Sequence, residues 1–202
     1  MPFRCESPLL ADYLADSEII DYRHPSILEL AAELQQQSAG ETAFVRSAFE
    51  YVRDRISHSW DIQSSHITCR ASEVLLYREG ICYAKSNLLC AILRSQGIPA
   101  GYCYQRLTLG DTPDTGYCIH ALNAVYLQEI SGWVRVDARG NKPGIDAQFS
   151  LDKEKLAFPI REEYDEIDYP VIYAAPHPST IQVLQQNTDC RQMYLHGLPA
   201  EI

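Results

Sequence analysis

The chain has 202 residues, 46% of them hydrophobic and 22% charged, with a formal charge of -10 and a pI near 5.0. That length buries a substantial core, the balance is that of an ordinary soluble globular protein, and an acidic chain without a Lys/Arg cluster argues against a nucleic-acid partner, whose phosphates need basic contacts. No basic and apolar leader opens the sequence, and no apolar run approaches the roughly 20 residues of a membrane span, so no membrane partner and a cytoplasmic location are expected.

Helical spacing dominates the first third. "HPSILELAAELQQQ" opens on Pro25 and Ser26 and puts Ile27, Leu30, Ala31 and Leu34 on one face. "TAFVRSAFEYVRDRI" repeats the pattern with Val45, Phe49, Val52 and Ile56. "ASEVLLYREG" predicts a short helix capped by Ser72 and stopped by Gly80. From Cys82 the positions Ala84, Leu88, Leu89, Ile92 and Leu93 keep a helical period, with Cys90 on the interior face, until Gly97 and Pro99 end it.

After Pro99 the period changes to two. "AGYCYQRLTL", "YCIHALNAVYL" and "GWVRVDAR" read as strands separated by the turn-like stretches "GDTPDTG" and "QEISG". Helices followed by consecutive hairpin strands define an α+β domain, in which the helix beginning at Cys82 covers an antiparallel sheet. One domain over 1–202 is expected, with a helical part to about 80, a catalytic core over about 81–150 and a C-terminal extension over about 151–202. Within that extension the acidic run "REEYDEIDYP" predicts a solvated segment.

Seven cysteines stand at irregular positions, 5, 69, 82, 90, 103, 118 and 190. An odd count without an export signal points to free thiols, most of them small buried hydrophobes. Cys82 differs from the rest because it opens a helix two residues after Gly80, which gives the backbone room for a sharp entry. The unsatisfied N–H groups of a helix's first turn favour a thiolate there and point toward an oxyanion forming on an attacked carbonyl. A thiolate nucleophile works with an imidazole and a group that orients it. His120 in "YCIHALNAVYL" and Asp137 in "GWVRVDARGN" supply both on successive strands. A loop centred between Gln128 and Glu129 would set them directly opposite, and one centred two residues later, nearer Ser131 and Gly132, would keep them on one face but displaced along the strands. Cys118 and His120 alternate onto one face and, with Cys82 and Cys103, offer donors for zinc, but no short-spaced cysteine pair accompanies them. No metal or organic cofactor is expected.

These residues resemble the transglutaminase-like superfamily. The resemblance rests on Gly80-x-Cys82 opening a helix that ends "LLCAILRSQGIPAGYC", on His120 in a following strand, and on Asp137 in "WVRVDARGN", and it covers about 45 to 140. It implies a papain-like α+β fold in which Cys82 attacks an amide or ester carbonyl, His120 shuttles the proton and Asp137 orients His120. The run "DARGNKPGIDAQFSL" looks like that of bacterial transglutaminase-family proteins of this size, mostly inferred to be cysteine proteases or amidases. The family often completes its oxyanion hole with an upstream aromatic or Gln, which makes Trp60 and Gln63 the candidates here. The expected substrate is a peptide or other amide, and hydrolysis is favoured over amine transfer because little chain is left for a second binding domain. Three alternatives stand beside it: a protein-glutamine acyltransferase, a catalytically silent peptide-binding relative, and an arylamine N-acetyltransferase, whose nucleophile usually follows Arg-Gly-Gly where this chain has "REGIC".

Overall fold

A computed structural model describes residues 3–110 and 112–202, and Asp111 of the expected "GDTPDTG" turn lies outside them. The elements run β1 (Arg4–Cys5), α1 (Pro25–Gln36), α2 (Glu41–Arg55), β2 (Ser57–His58), α3 (Ala71–Tyr77), β3 (Glu79–Gly80), α4 (Cys82–Ser95), β4 (Ala100–Thr108), β5 (Tyr117–Leu127), β6 (Gly132–Val136), β7 (Ile167–Asp168), β8 (Val171–Ile172), α5 (Pro178–Gln186) and α6 (Cys190–His196). Strands β6, β5, β4 and β7 form an antiparallel sheet in that order. α4 lies between this sheet and the helices α1, α2 and α3.

Because α4 is covered on all sides, every residue from Cys82 to Arg94 is buried, which is the pattern of a helix that is hydrophobic all round. Its polar side chains therefore need partners inside the protein. Asn87 Nδ2 donates to Cys69 O at 2.9 Å, and its Oδ1 accepts from Tyr102 Oη at 3.1 Å. Arg94 donates to the carbonyls of Ala15, Ala100 and Ala174. Lys85 Nζ donates to Ile56 O and Arg53 O, satisfying carbonyls at the end of α2. α4 ends in a Schellman turn: Gly97, at φ 73°, donates its N–H to Arg94 O, and Ile98 donates to Leu93 O.

Three local expectations are corrected. Ser72 does not cap α3. The cap position is Arg70, and the Glu73 carboxylate reaches back to accept from Cys69 N and Arg70 N at 3.1 Å each, while Ser72 Oγ donates to Asp21. α3 also stops two residues before Gly80, at Arg78 in the left-handed region (φ 56°). The acidic run is not simply solvated: Glu166 is buried against Arg161, and Asp168 pairs with Arg135 at the sheet edge formed by β7.

Gly80 sits in β3 paired with His58, and its role is close approach. A Cβ there would lie 2.9 Å from Ala84 Cβ and 3.0 Å from Thr68 Oγ1. Ala84 is fixed by the buried helix and cannot yield. Gly80→Ala is therefore expected to destabilise the protein by about 1–3 kcal/mol through overpacking and to displace the first turn of α4. Urea unfolding checks this, and an unchanged midpoint would show that β3 and α4 separate freely.

Candidate active site

Three elements bring the candidate residues together. Cys82 is the first residue of α4, after Ile81 at the cap position, and the helix's first backbone bond runs from Lys85 N to Ile81 O. The N–H groups before Lys85 have no acceptor within the helix and face outward from its end. His120 lies on β5, and Asp137 follows the last residue of β6.

The hairpin register decides how the last two meet. β5 and β6 pair from Leu127↔Gly132 to Asn123↔Val136, so the loop Gln128–Ser131 is centred between Glu129 and Ile130, one residue later than the directly opposed register requires. A 3-10 turn at Gln128–Ile130 and the left-handed Ser131 (φ 49°) take up the difference. His120 and Asp137 are consequently diagonal neighbours on one face. They still meet, with His120 Nε2 and Asp137 Oδ2 2.8 Å apart. Since β6 stops opposite Asn123, the stretch of β5 holding His120 has no strand on that side. Its edge is closed at Ile119, whose N–H donates to Pro199 O at 2.8 Å and whose carbonyl accepts from Tyr83 Oη at 2.7 Å.

Asp137 is wholly buried. Besides His120, its carboxylate accepts from Ala157 N at 3.0 Å and Arg139 N at 3.2 Å. Burial alone would raise its pKa, but the His120 charge and hydrogen bond and the two backbone donors hold it below the usual carboxylate value. Burial likewise opposes charge on His120. Asp137, with a smaller contribution from the Cys82 side chain beside it, outweighs that and pushes the imidazole up to about 10. With Nε2 committed to Asp137, Nδ1 is the nitrogen left for Cys82. The ring is held edge-on by Phe158, with centroids 5.1 Å apart. Burial pushes five other thiols up, Cys69 and Cys118 to about 12, Cys190 to about 11, and Cys90 and Cys103 in the same direction.

Cys82 and His120 open into a cavity of about 570 Å³. Its walls are mostly apolar, with Leu107, Ile145, Phe158 and Leu198 among them, and its charged groups are ion-paired: Arg139 and Lys142 with Asp61, and Arg161 with Glu166. Trp60 lines the cavity and stacks on Tyr194 of α6, with centroids 4.3 Å apart and planes 10° apart. Gln63 does not line it: its exposed side chain turns back to donate to Trp60 O. Among the described residues no group of three His, Cys, Asp or Glu side chains is arranged to hold a metal ion, and Cys103 lies elsewhere, packed with Tyr13 and Leu122. His58, Phe158 and Tyr194 were not singled out by the sequence. Phe158 and Tyr194 come from the tail, where no periodicity points at the cavity, and His58 precedes Trp60 by two residues in a strand too short to show a pattern.

A helix N-terminus presenting a cysteine to a histidine on an antiparallel sheet defines a papain-like α+β protein. More narrowly, the family described as the Transglutaminase-like superfamily matches residues 28–138, and the chain belongs to that superfamily, which includes cysteine proteases and transglutaminases. Among solved structures, a candidate cysteine protease from Cytophaga hutchinsonii aligns over 66% of this chain and 43% of its own, at 18% identity and a TM-score of 0.53. The periplasmic domain of TgpA from Pseudomonas aeruginosa aligns over 62% of this chain and 45% of its own, at 22% identity and a TM-score of 0.46. The chain thus spans less than half the length of either. No curated protein matches it. No helix among the described residues is long and apolar enough to cross a membrane.

The charge state of His120 can be tested directly. In Cys82→Ala, where the thiol no longer contributes, His120 is expected to titrate above the ordinary histidine value of about 6.5, and Asp137→Asn in the same background should bring it below that value, because burial then acts unopposed. Ring-resonance NMR from acid to alkaline pH reads both. Equal midpoints in the two variants would remove Asp137 as the source of the shift.

Proposed function

We propose that the protein is a cysteine-dependent amide-bond hydrolase acting through a thioester. The observation that carries this reading is the hydrogen bond between His120 and a wholly buried Asp137, with His120 and Cys82 lining one cavity at the N-terminus of α4. The Cys82 sulfur attacks the carbonyl carbon, and the resulting oxyanion is met by the Cys82 backbone N–H. The C–N bond then breaks as His120 gives its proton to the departing amine. Water next attacks the thioester carbonyl, His120 takes a proton from it, and the acid leaves as Cys82 is regenerated. Asp137 holds the tautomer and orientation that both transfers require.

The mostly apolar walls and paired charges favour an uncharged group beside the scissile carbonyl, since a buried charge would have to find a partner. Water is favoured as acceptor because an amine wins only where a dedicated site orients it. Seven free cysteines suit a reducing compartment.

The test screens a panel of peptide and amide substrates against wild type, Cys82→Ala and Asp137→Asn, with and without a primary amine, and identifies products by mass spectrometry. Hydrolysis products with wild type are expected, none with Cys82→Ala, and a loss toward about 10³–10⁴-fold with Asp137→Asn. Predominant amine conjugates at millimolar amine would refute hydrolysis, and full activity in Asp137→Asn would remove it from the proton path. Iodoacetamide at about pH 6 should label Cys82 ahead of the five thiols that burial raises.

A further inference from the structure

Resting on the thioester reading above, we propose that His58 is a catalytic residue: its Nε2–H donates a second hydrogen bond to the oxyanion formed when Cys82 attacks a carbonyl.

Four buried side-chain atoms lack a hydrogen-bond partner among the described residues, His58 Nδ1, Gln105 Oε1, Arg106 Nε and Asn123 Oδ1, and of these residues His58 is the one that lines the cavity. The residue is 5% exposed, and among the described residues no group bonds either ring nitrogen. The nitrogen buried without a partner is Nδ1, whereas Nε2 is not among the buried unpaired atoms and is therefore the nitrogen with access to a substrate group. Position supports this. His58 pairs with Gly80 in the short parallel ladder β2–β3, two residues before Cys82, so the strand that carries the imidazole is tied to the segment that leads into the nucleophile. Tyr194 meets the ring edge-on, with centroids 6.1 Å apart and planes at 88°, which limits its swing.

The protonation state suits a donor. Burial holds His58 well below the ordinary histidine value, the Arg139, Lys85 and His120 charges add to that, and Asp61 opposes it. A neutral imidazole carries one N–H. Placing it on Nδ1 would bury an unpaired donor, whereas placing it on Nε2 leaves only a lone pair unpaired and puts the N–H on the nitrogen that is not among the buried atoms. A neutral imidazole is a competent electrophile toward a carbonyl oxygen. Trp60 is the competing donor. Its ring face is fixed by Tyr194, and it is only half-buried, so its indole N–H has water as an alternative partner.

The probe is p-nitrophenyl acetate, whose acetyl group would be held on Cys82 as a thioester, read by p-nitrophenolate release and intact mass. His58→Leu keeps the buried volume apolar and removes the donor, His58→Gln keeps an N–H near the Nε2 position, and Trp60→Phe removes the indole N–H but keeps a stacked ring. Acylation is expected to fall about 10²–10³-fold in His58→Leu, to recover to within about tenfold of wild type in His58→Gln, and to stay within about threefold in Trp60→Phe. Alkylation of Cys82 by iodoacetamide passes through no oxyanion, so its rate should be unchanged in all three. The thermal midpoint of His58→Leu should be no lower than that of wild type, because the orphaned nitrogen is gone. Acylation retained in His58→Leu, a parallel loss of alkylation, or a loss in Trp60→Phe matching that in His58→Leu would each overturn the assignment. A wild type that alkylates at Cys82 but never forms the acetyl thioester would instead overturn the hydrolase reading, and His58's role would fall with it.

Discussion

A carboxylate with no solvent contact is the constraint around which the cavity is organised. Asp137 follows the last paired residue of β6, and a charge buried there survives only if its oxygens are filled with donors. His120 supplies one, while the backbones of Arg139 and Ala157 supply two more. The consequences extend beyond the imidazole. The Arg139 bond folds the chain sharply after the sheet, and the Ala157 bond pulls the segment carrying Phe158 against the His120 ring. Ring, carboxylate and cavity wall are therefore fixed by one ionised group. Had β6 continued past Val136, a strand would have lain alongside His120 and left no open edge for Tyr83 and Pro199 to close.

The second organising element is α4. A helix buried on every face contributes most of the hydrophobic contact between sheet and helices, but it also carries Lys85, Asn87 and Arg94 inside. Each is spent on backbone carbonyls that would otherwise be orphaned. Lys85 is the most exacting of the three. Burial pulls its ammonium down to about 7, with Arg139 adding to the effect and Asp137, Asp54 and Asp61 opposing it. The same interior that lowers Lys85, three residues after Cys82, leaves His120 raised. The difference is Asp137, whose carboxylate bonds the imidazole directly and acts on the lysine only through space.

Much of this was legible because the governing signals are local. The periodicity of α1, α2 and α4, the Gly97–Pro99 stop and the period-two runs of β4 and β5 each decide an element within a dozen residues, and a cysteine at a helix start followed by His120 on β5 and Asp137 just after β6 suggested the constellation that the family resemblance then matched. Register was less accessible. It depends on whether Ser131 accepts a left-handed conformation, which the residues of a polar loop do not dictate. Ser72 looked like a cap because capping oxygens are usually judged by residue type, while the actual donors turned to Glu73, which reaches back from inside the helix. The acidic run misled for a related reason. Glu166 and Asp168 are buried or half-covered only because Arg161 and Arg135 meet them, the first within the run and the second from β6, and a count of charges cannot distinguish a solvated carboxylate from a paired one.

The cavity also shows where stability has been given up. Gln105 and Asn123, with orphaned oxygens on the sheet, lie away from the opening, and nothing in the structure gives those atoms a chemical role. His58 is different in kind, because it lines the same cavity as Cys82 and has a buried nitrogen without a partner among the described residues. A Leu at that position would pack as well and remove an unsatisfied nitrogen, so packing alone gives no reason for an imidazole. Around Cys82 the chain keeps a buried carboxylate, an imidazole charged against its burial and a second imidazole left unpaired. Each costs stability relative to an apolar residue, and on the proposed reading they are the orienting group, the proton carrier and the donor that acyl transfer to a thiol requires.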